Sequence, residues 1–217
     1  MATTDFEPNP AIARWNAKYA RRGQTGTPVT PQAEPELLQH RALLPGAGLA
    51  LEAACGRGAN ALFLAQSGYQ VIACDLAING LLQAQTARAA ASRRFMPLVC
   101  DLTTCPFPAA AFSLICVIRF LDRRLFPRLL RWLRPGGVLF CKTFNRHHLQ
   151  RQPRFNPAYV VEPGELNRIF GALDILVSDA PPARRTADTV PGASFILGSK
   201  PAAAGRRPVS TSGRRLS

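Results

Sequence analysis

Apolar residues along this chain gather in short runs, each ending in a polar residue, with stretches of helical length and spacing between them. The runs at about 48–54, 69–75, 96–100, 112–118 and 136–143 read as strands, and those at 173–178 and 194–199 as two closing strands. The intervening segments 59–67, 79–92 and 124–133 read as helices. This alternation predicts a parallel sheet with helices on both faces. Before the first strand lie a short helix at 11–20, a Gly/Thr/Pro-rich loop at 23–35 and a helix at 36–41. Segment 163–171 is a compact helix with Pro near its start and Gly after its end. No stretch repeats at a fixed period.

The ends of the apolar runs carry the chemistry. The first run passes into Glu52-Ala-Ala-Cys55-Gly56-Arg-Gly58-Ala-Asn60, and the second closes on Asp75. Gly56 and Gly58 allow a tight turn and a close approach of backbone to ligand where a Cβ would intrude. A carboxylate at the end of the second strand suits the two hydroxyls of a ribose, since it accepts both hydrogen bonds at once. The unit therefore points to an adenosine-containing molecule. Gly56-x-Gly58-x-x-Ala61 with Asp75 also satisfies the loose dinucleotide fingerprint, so the loop alone leaves a nicotinamide dinucleotide and S-adenosylmethionine both open.

Three further features narrow the choice. Met96-Pro-Leu-Val-Cys-Asp101-Leu102 is a third strand ending in an acid, placed to accept a hydrogen bond from an adenine amino group. Leu133-Arg-Pro-Gly-Gly-Val-Leu-Phe140 reads as a helix end, a turn and a fifth strand, and the two closing strands follow. With these residues the sequence resembles the class I S-adenosylmethionine-dependent methyltransferases over about residues 12 to 200. Within that superfamily it is similar to small bacterial enzymes related to the tellurite-resistance and thiopurine methyltransferases, through Trp15-Asn-Ala-Lys-Tyr19, Arg119-Phe-Leu121, Lys142-Thr-Phe144 and Asn156-Pro.

The resemblance implies an α/β, Rossmann-like three-layer sandwich on a seven-stranded, mostly parallel sheet of order 3-2-1-4-5-7-6 with the last strand antiparallel. It implies S-adenosyl-L-methionine as cofactor, with Asp75 on the ribose, Asp101 on the adenine amino group, and Leu76 and Leu102 as adenine walls. Glu52 and the loop residues Cys55, Gly56, Gly58 and Asn60 would address the positively charged methionine end. Two positions depart from the superfamily pattern. The fourth strand opens Phe112-Ser113 where relatives have Phe-Asp, and Lys142 stands where near relatives carry an acid before Thr-Phe.

At 217 residues and 47% hydrophobic content the chain suits one domain with a sizeable core. It divides into an N-terminal cap and lid over 1–40, a methyltransferase domain over 41–200 and a basic tail over 201–217 whose composition predicts disorder. No apolar run approaches the roughly 20 residues of a membrane span, and the acidic start lacks a secretory pattern, so a cytoplasmic location is expected. The six cysteines form no C-x-x-C pair and have no histidine at zinc spacing, so no metal site is expected and they read as reduced core residues. The net charge of +14 is concentrated: Arg119, Arg123, Arg124, Arg128, Arg131, Arg134, Lys142, Arg146, Arg151 and Arg154 face a single acid, Asp122. Such a band attracts anions or nucleic acid, or merely solvates a helix face; no aromatic residues interleave with it as a base-stacking platform would require.

Methyl transfer from a sulfonium is an in-line displacement that positioning alone can accelerate, so no catalytic residue need be legible and none is assigned. Candidates for contact with a small-molecule acceptor through S, N or O are Trp15 and Tyr19 from the cap, and Arg119, Phe120, Lys142, Phe144, His147 and His148 after the fourth and fifth strands. Arg119 and Lys142 suit an anionic acceptor, or else a carboxylate partner within the chain. The alternatives are a nicotinamide-dependent oxidoreductase, against which stand Asp101-Leu102 and a missing Tyr-x-x-x-Lys pair, and a non-catalytic cofactor sensor that binds nucleic acid. Membrane binding is not expected.

Overall fold

A computed structural model describes residues 9–23, 32–88, 93–179 and 192–202. Much of the glycine- and proline-rich loop of the cap, part of the segment between the last two strands and nearly all of the basic tail lie outside the described residues. The strands are β1 (Leu49–Ala53), β2 (Gln70–Asp75), β3 (Phe95–Val99), β4 (Phe112–Ile118), β5 (Leu133–Phe144), β6 (Asp174–Ser178) and β7 (Ala193–Ser199). They form one sheet in the order β3-β2-β1-β4-β5-β7-β6. The first five pair in parallel, and β7 runs antiparallel to both β5 and β6. The order reverses between β1 and β4, so the crevice expected of an open parallel sheet opens beyond the carboxyl ends of these two strands.

Alternation within each strand divides the core into two layers. Leu51, Ala53, Ile115, Val117, Leu139 and Cys141 face α5 (Phe126–Trp132) and α7 (Glu165–Ile169), with Phe126, Leu129, Trp132, Leu166 and Phe170 packed on them. Ala50, Val71, Ala73, Leu114, Cys116 and Phe140 face the other way, onto α2 (Pro35–Gln39), α3 (Ala59–Gln66) and α4 (Ile78–Arg88). Cover on both faces is why the central strands are apolar almost throughout. The strand order and the antiparallel β7 agree with the order expected from the sequence.

Several boundaries differ. The Pro-Gly-Gly segment is a bulge inside β5 and does not precede it: Phe112 pairs with Leu133, and Leu114 with Val138. Gly136 has φ +71, and a Cβ on Gly137 would lie 2.9 Å from the Arg134 carbonyl oxygen and 3.1 Å from that of Phe112. Only glycine fits there. The helix expected over 124–133 starts as a 3₁₀ turn, Arg123–Leu125, and α7 is shorter than the segment 163–171. An unexpected helix, α6 (Arg146–Arg151), follows β5 because the Asn145 side chain accepts the His147 amide and caps it.

The first helix, α1 (Pro10–Gly23), is docked on the domain. Asn16 Oδ1 accepts the Asn79 amide at 3.0 Å, and its carbonyl accepts Asn79 Nδ2 at 3.1 Å, at the start of α4. Gln83 Nε2 donates to the Tyr19 carbonyl. Asn9, just before α1, reaches the end of β3 through Asp101. The helix thus spans the carboxyl edge of the sheet from β3 to the glycine loop.

Candidate cofactor and acceptor site

The turn after β1 is built by positive φ angles at Ala54, Gly56 and Gly58, of 57°, 55° and 70°. A Cβ on Gly56 would sit 2.7 Å from the Tyr19 hydroxyl, and one on Gly80 would sit 2.7 Å from the Gly56 carbonyl oxygen. The loop is therefore packed between α1 and α4 at a distance only glycine tolerates. The Cys55 amide donates to the Cys74 carbonyl at 2.9 Å, which ties the turn to β2. Cys55 itself is buried, and burial pushes its thiol well above its ordinary pKa, as suits a packing residue.

Glu52 lies on the α3 face of β1 and is 2% exposed. Its carboxylate accepts Asn60 Nδ2 at 2.7 Å and the Ala61 amide at 2.6 Å. Burial raises its pKa to about 8, only partly offset by these two donors, and the nearby Asp75 charge pushes the same way. Asn60 also accepts the Glu34 amide at 2.7 Å. It thus joins β1 to the segment leading into α2.

Asp75 accepts the Gly56 amide at 2.7 Å and the Ala77 amide at 2.8 Å. It is 7% exposed, and burial raises its pKa despite those donors. A carboxylate facing an open crevice with little part in the fold would be the expectation from its strand-end position; here it holds the glycine turn in place. Asp101, two residues past the end of β3, accepts the Thr103 amide and hydroxyl at 2.8 and 2.7 Å and Asn9 Nδ2 at 2.9 Å. Partial burial opposes its ionisation, but the Thr103 and Asn9 hydrogen bonds outweigh it and keep the pKa below its usual value. Leu76 is half-buried, whereas Leu102 is 5% exposed and packs into the α5 layer of the core. The Leu102 side chain thus packs mainly on the core.

On the far side of the crevice, Arg119 follows β4 and Lys142 lies two residues before the end of β5. The Lys142 ammonium lies between Glu34 Oε1 at 2.5 Å and Glu36 Oε2 at 2.6 Å, and Arg119 pairs with Glu34 Oε2 at 3.2 Å. Glu34 is buried, Lys142 nearly so, and Arg119 is 63% exposed. Of the two readings for these cations, the carboxylate partner is the one present. The Lys142 departure also acquires a reason, since the basic residue in β5 answers two acids at the start of α2. The Ser113 departure is local too: its hydroxyl bonds the Ala47 and Leu49 carbonyls, and a Cβ on Gly48 would lie 2.6 Å from it.

Past β5, Phe144 stacks on His148 with centroids 4.1 Å apart, and Phe155 meets both edge-on. His147 has a buried Nδ1 with no hydrogen-bond partner. Phe120 packs at the margin of the α5 layer, and Trp15 stacks on Tyr19 under the Lys18 ammonium. Much of the basic band is locally paired: Arg123 with Glu165, Arg124 with Asp122, Arg146 with Glu162, and Arg128 with the Thr103 and Cys105 carbonyls. No helix of the described residues is long and apolar enough to cross a membrane.

Pattern reading missed Asn9, Asn16, Glu34 and Glu36. Asn9 before Pro10 carried a helix-start signal, and its side chain does accept the Ala11 amide. The two acids carried none, because only the fold brings them to β5.

Residues 50–137 match the family model described as a methyltransferase domain. Among solved structures, a protein studied for the conversion of a disulfide bond into a thioacetal group during echinomycin biosynthesis superposes with TM-score 0.66 at 19% identity, over 88% of this chain and 92% of the other. A SAM-dependent methyltransferase from Methanosarcina mazei gives 0.62 at 19% identity, over 80% and 100%. TehB from Haemophilus influenzae gives 0.60 at 12% identity, over 86% and 67%, a likeness of fold alone. No curated protein matches the sequence. Residues 50–137 thus match a methyltransferase domain, and the sheet order is the one implied by the resemblance to the class I S-adenosylmethionine-dependent methyltransferases.

Proposed function

We propose that this chain transfers the methyl group of S-adenosyl-L-methionine to a sulfur, nitrogen or oxygen atom of a small molecule. The observation that supports the reading is the Gly56 turn held by Asp75 beside the point where the strand order reverses, with Asp101 following the neighbouring strand β3. The residues fit the group. Asp75 and Asp101 each retain lone pairs beyond the bonds they already accept, suited to ribose hydroxyls and an adenine amino group. Glu52 is a buried carboxylate whose hydrogen-bond donors are uncharged, the environment in which an ammonium or sulfonium nearby is most favourable. The cofactor supplies an already activated methyl group. The chain's part is to orient it, with Tyr19 and α1 shielding the glycine turn, and to hold the acceptor in line, an effect worth several kcal/mol and up to about 10.

The acceptor side lies at the ends of β4 and β5, beside Phe120, Phe144 and His148. An anionic acceptor would have to compete with Glu34 and Glu36 for Arg119 and Lys142, so the pairing favours an uncharged one. The cap over 1–40, the domain over 41–200 and the cytoplasmic location remain part of this reading. The test is thermal unfolding with S-adenosylmethionine, S-adenosylhomocysteine, NAD and NADP, followed by isotope transfer from labelled S-adenosylmethionine into small molecules of a cell extract. The first two ligands should raise Tm by mass action. Stabilisation by the nicotinamide cofactors alone would overturn the reading.

A further inference from the structure

Three thiols outside the roles above meet at the base of the proposed adenosine wall. Cys74 is the residue before Asp75 in β2 and is fully buried; Cys100 is the residue before Asp101 and is half-buried. Their sulfurs lie 2.6 Å apart, closer than the roughly 3.5–4.0 Å of ordinary non-bonded contact. A disulfide at about 2.05 Å is about half an ångström further on. Cys105, also buried, shares a hydrogen bond with Cys100. The Cys100 amide donates to the Asp75 carbonyl, and the Cys105 amide to that of Asp101, so the cysteines lie beside the backbone of the two acids at the ends of β2 and β3.

We infer that Cys74 and Cys100 are a modification site, closed to a disulfide by a peroxide-class oxidant, and that closure lowers cofactor affinity at Asp75 and Asp101. The effect on affinity rests on the proposed cofactor site; the disulfide does not. The Cys100 sulfur, the more exposed of the pair, attacks a peroxide oxygen. The O–O bond breaks, a sulfenic acid forms and one water leaves. The Cys74 sulfur then attacks the sulfenic sulfur; the S–S bond forms, the S–O bond breaks, and the hydroxyl leaves with the Cys74 proton as a second water. Two thiols lose two electrons in all and the peroxide gains them.

The Cys100 thiol is held above its ordinary pKa by its contact with Cys74 and by burial, and burial with the Cys100 contact pushes Cys105 up to about 12. Thiolate is therefore scarce at neutral pH, and the site responds to sustained oxidant, faster as pH rises. Closure draws the Cys100 sulfur away from Cys105 and takes the adjoining Asp101 turn with it.

The experiment treats the full chain with hydrogen peroxide at pH 7 and pH 9, blocks the remaining thiols and maps peptides without reduction. S-adenosylhomocysteine affinity is measured on the same samples by calorimetry. A Cys74–Cys100 linked peptide is expected, formed faster at pH 9, with affinity reduced threefold or more and restored by dithiothreitol. The Cys100→Ser protein, compared with its own untreated state, should give no linked peptide and no peroxide effect on affinity. Oxidation at Cys55 or elsewhere without this link, a sulfinic acid at Cys100 alone, or a linked protein that binds as tightly as the reduced one overturns the inference. Failure of the reduced protein to bind S-adenosylhomocysteine would instead sink the cofactor reading, while the linked peptide would still report on the thiol pair.

Discussion

The carboxylate of Asp75 accepts the amide of Gly56 at 2.7 Å, so the acid that closes the second strand also fixes the turn that leaves the first. Its other oxygen accepts the Ala77 amide at the start of α4. Each carboxylate oxygen still has a lone pair to offer. One side chain therefore sets the shape of the proposed crevice and presents acceptors into it, and the two duties are inseparable in mutagenesis.

Replacing Asp75 with Ala should lower both stability and cofactor affinity. Two largely buried amides lose their acceptor at about 1–3 kcal/mol each, enough to lower Tm by roughly 5 °C or more in a chain of this size. Affinity for S-adenosylhomocysteine should fall at least tenfold, since hydrogen bonds to a charged acceptor are worth about 1.5–3 kcal/mol each. Asp122→Ala is the matched comparison. It removes a cap on the Arg124 amide, worth about 1 kcal/mol, and should leave affinity nearly unchanged. Equal losses of affinity in both proteins would place the crevice elsewhere.

Glu52 gives the ligand-free protein a signature in pH. Its folded pKa of about 8 lies above its ordinary 4.5, so between these values the folded chain holds a proton that the unfolded chain has released. The stability contributed by that proton is fully present below about 4.5, declines as pH rises through the window, and is gone above about 8. Tm measured from pH 5 to 9 should therefore fall more steeply for the wild type than for Glu52→Gln, whatever the absolute Tm of the variant. Parallel curves would show that Glu52 is ionised throughout.

The elements of the proposed cofactor site could be picked out in the sequence because their parts are local: a strand, a glycine turn and a strand-end acid lie within Leu49–Asp75, and a second strand ends near Asp101. The sheet order came through resemblance, since spacing alone does not state which strands neighbour. The acceptor half was not legible. Lys142 was open between an anionic acceptor and a carboxylate partner because Glu34 and Glu36 are more than 100 positions away in sequence. The packing of Leu102 into the core was not legible because a strand-end pattern does not reveal which way a side chain turns once the strand has ended. The Pro-Gly-Gly bulge was misread as a turn for a related reason, as pairing of Leu133 with Phe112 resumes the strand before the glycines.

The ordered end of the domain predicts that the tail is dispensable for cofactor binding. Lys200 donates to the Leu130 and Leu133 carbonyls at 2.7 and 2.8 Å, and its backbone pairs with Gly136 and Gly137. Removing Pro201 to Ser217 leaves all of these bonds in place. Stability should change by no more than about 0.5 kcal/mol, and S-adenosylhomocysteine affinity should be unaltered. A clear loss of affinity in the shortened protein would make the tail part of the site.

Lys142 separates a structural lock from an anion-binding site. With its ammonium held by Glu34 and Glu36 in a nearly buried position, Lys142→Met leaves Glu34 buried beside the Glu36 carboxyl, with the exposed Arg119 as its cation. Removing one partner of a buried pair costs about 3–5 kcal/mol, read as a lower midpoint in denaturant unfolding. Glu36 is more exposed, so Glu36→Gln should cost no more than about 1 kcal/mol. The double variant Glu34→Gln/Lys142→Met, with both buried charges gone, should recover most of the loss, and that coupling is the mark of the pair. If Lys142→Met costs no more than Glu36→Gln yet abolishes methyl transfer, the ammonium serves the acceptor and the lock is wrong.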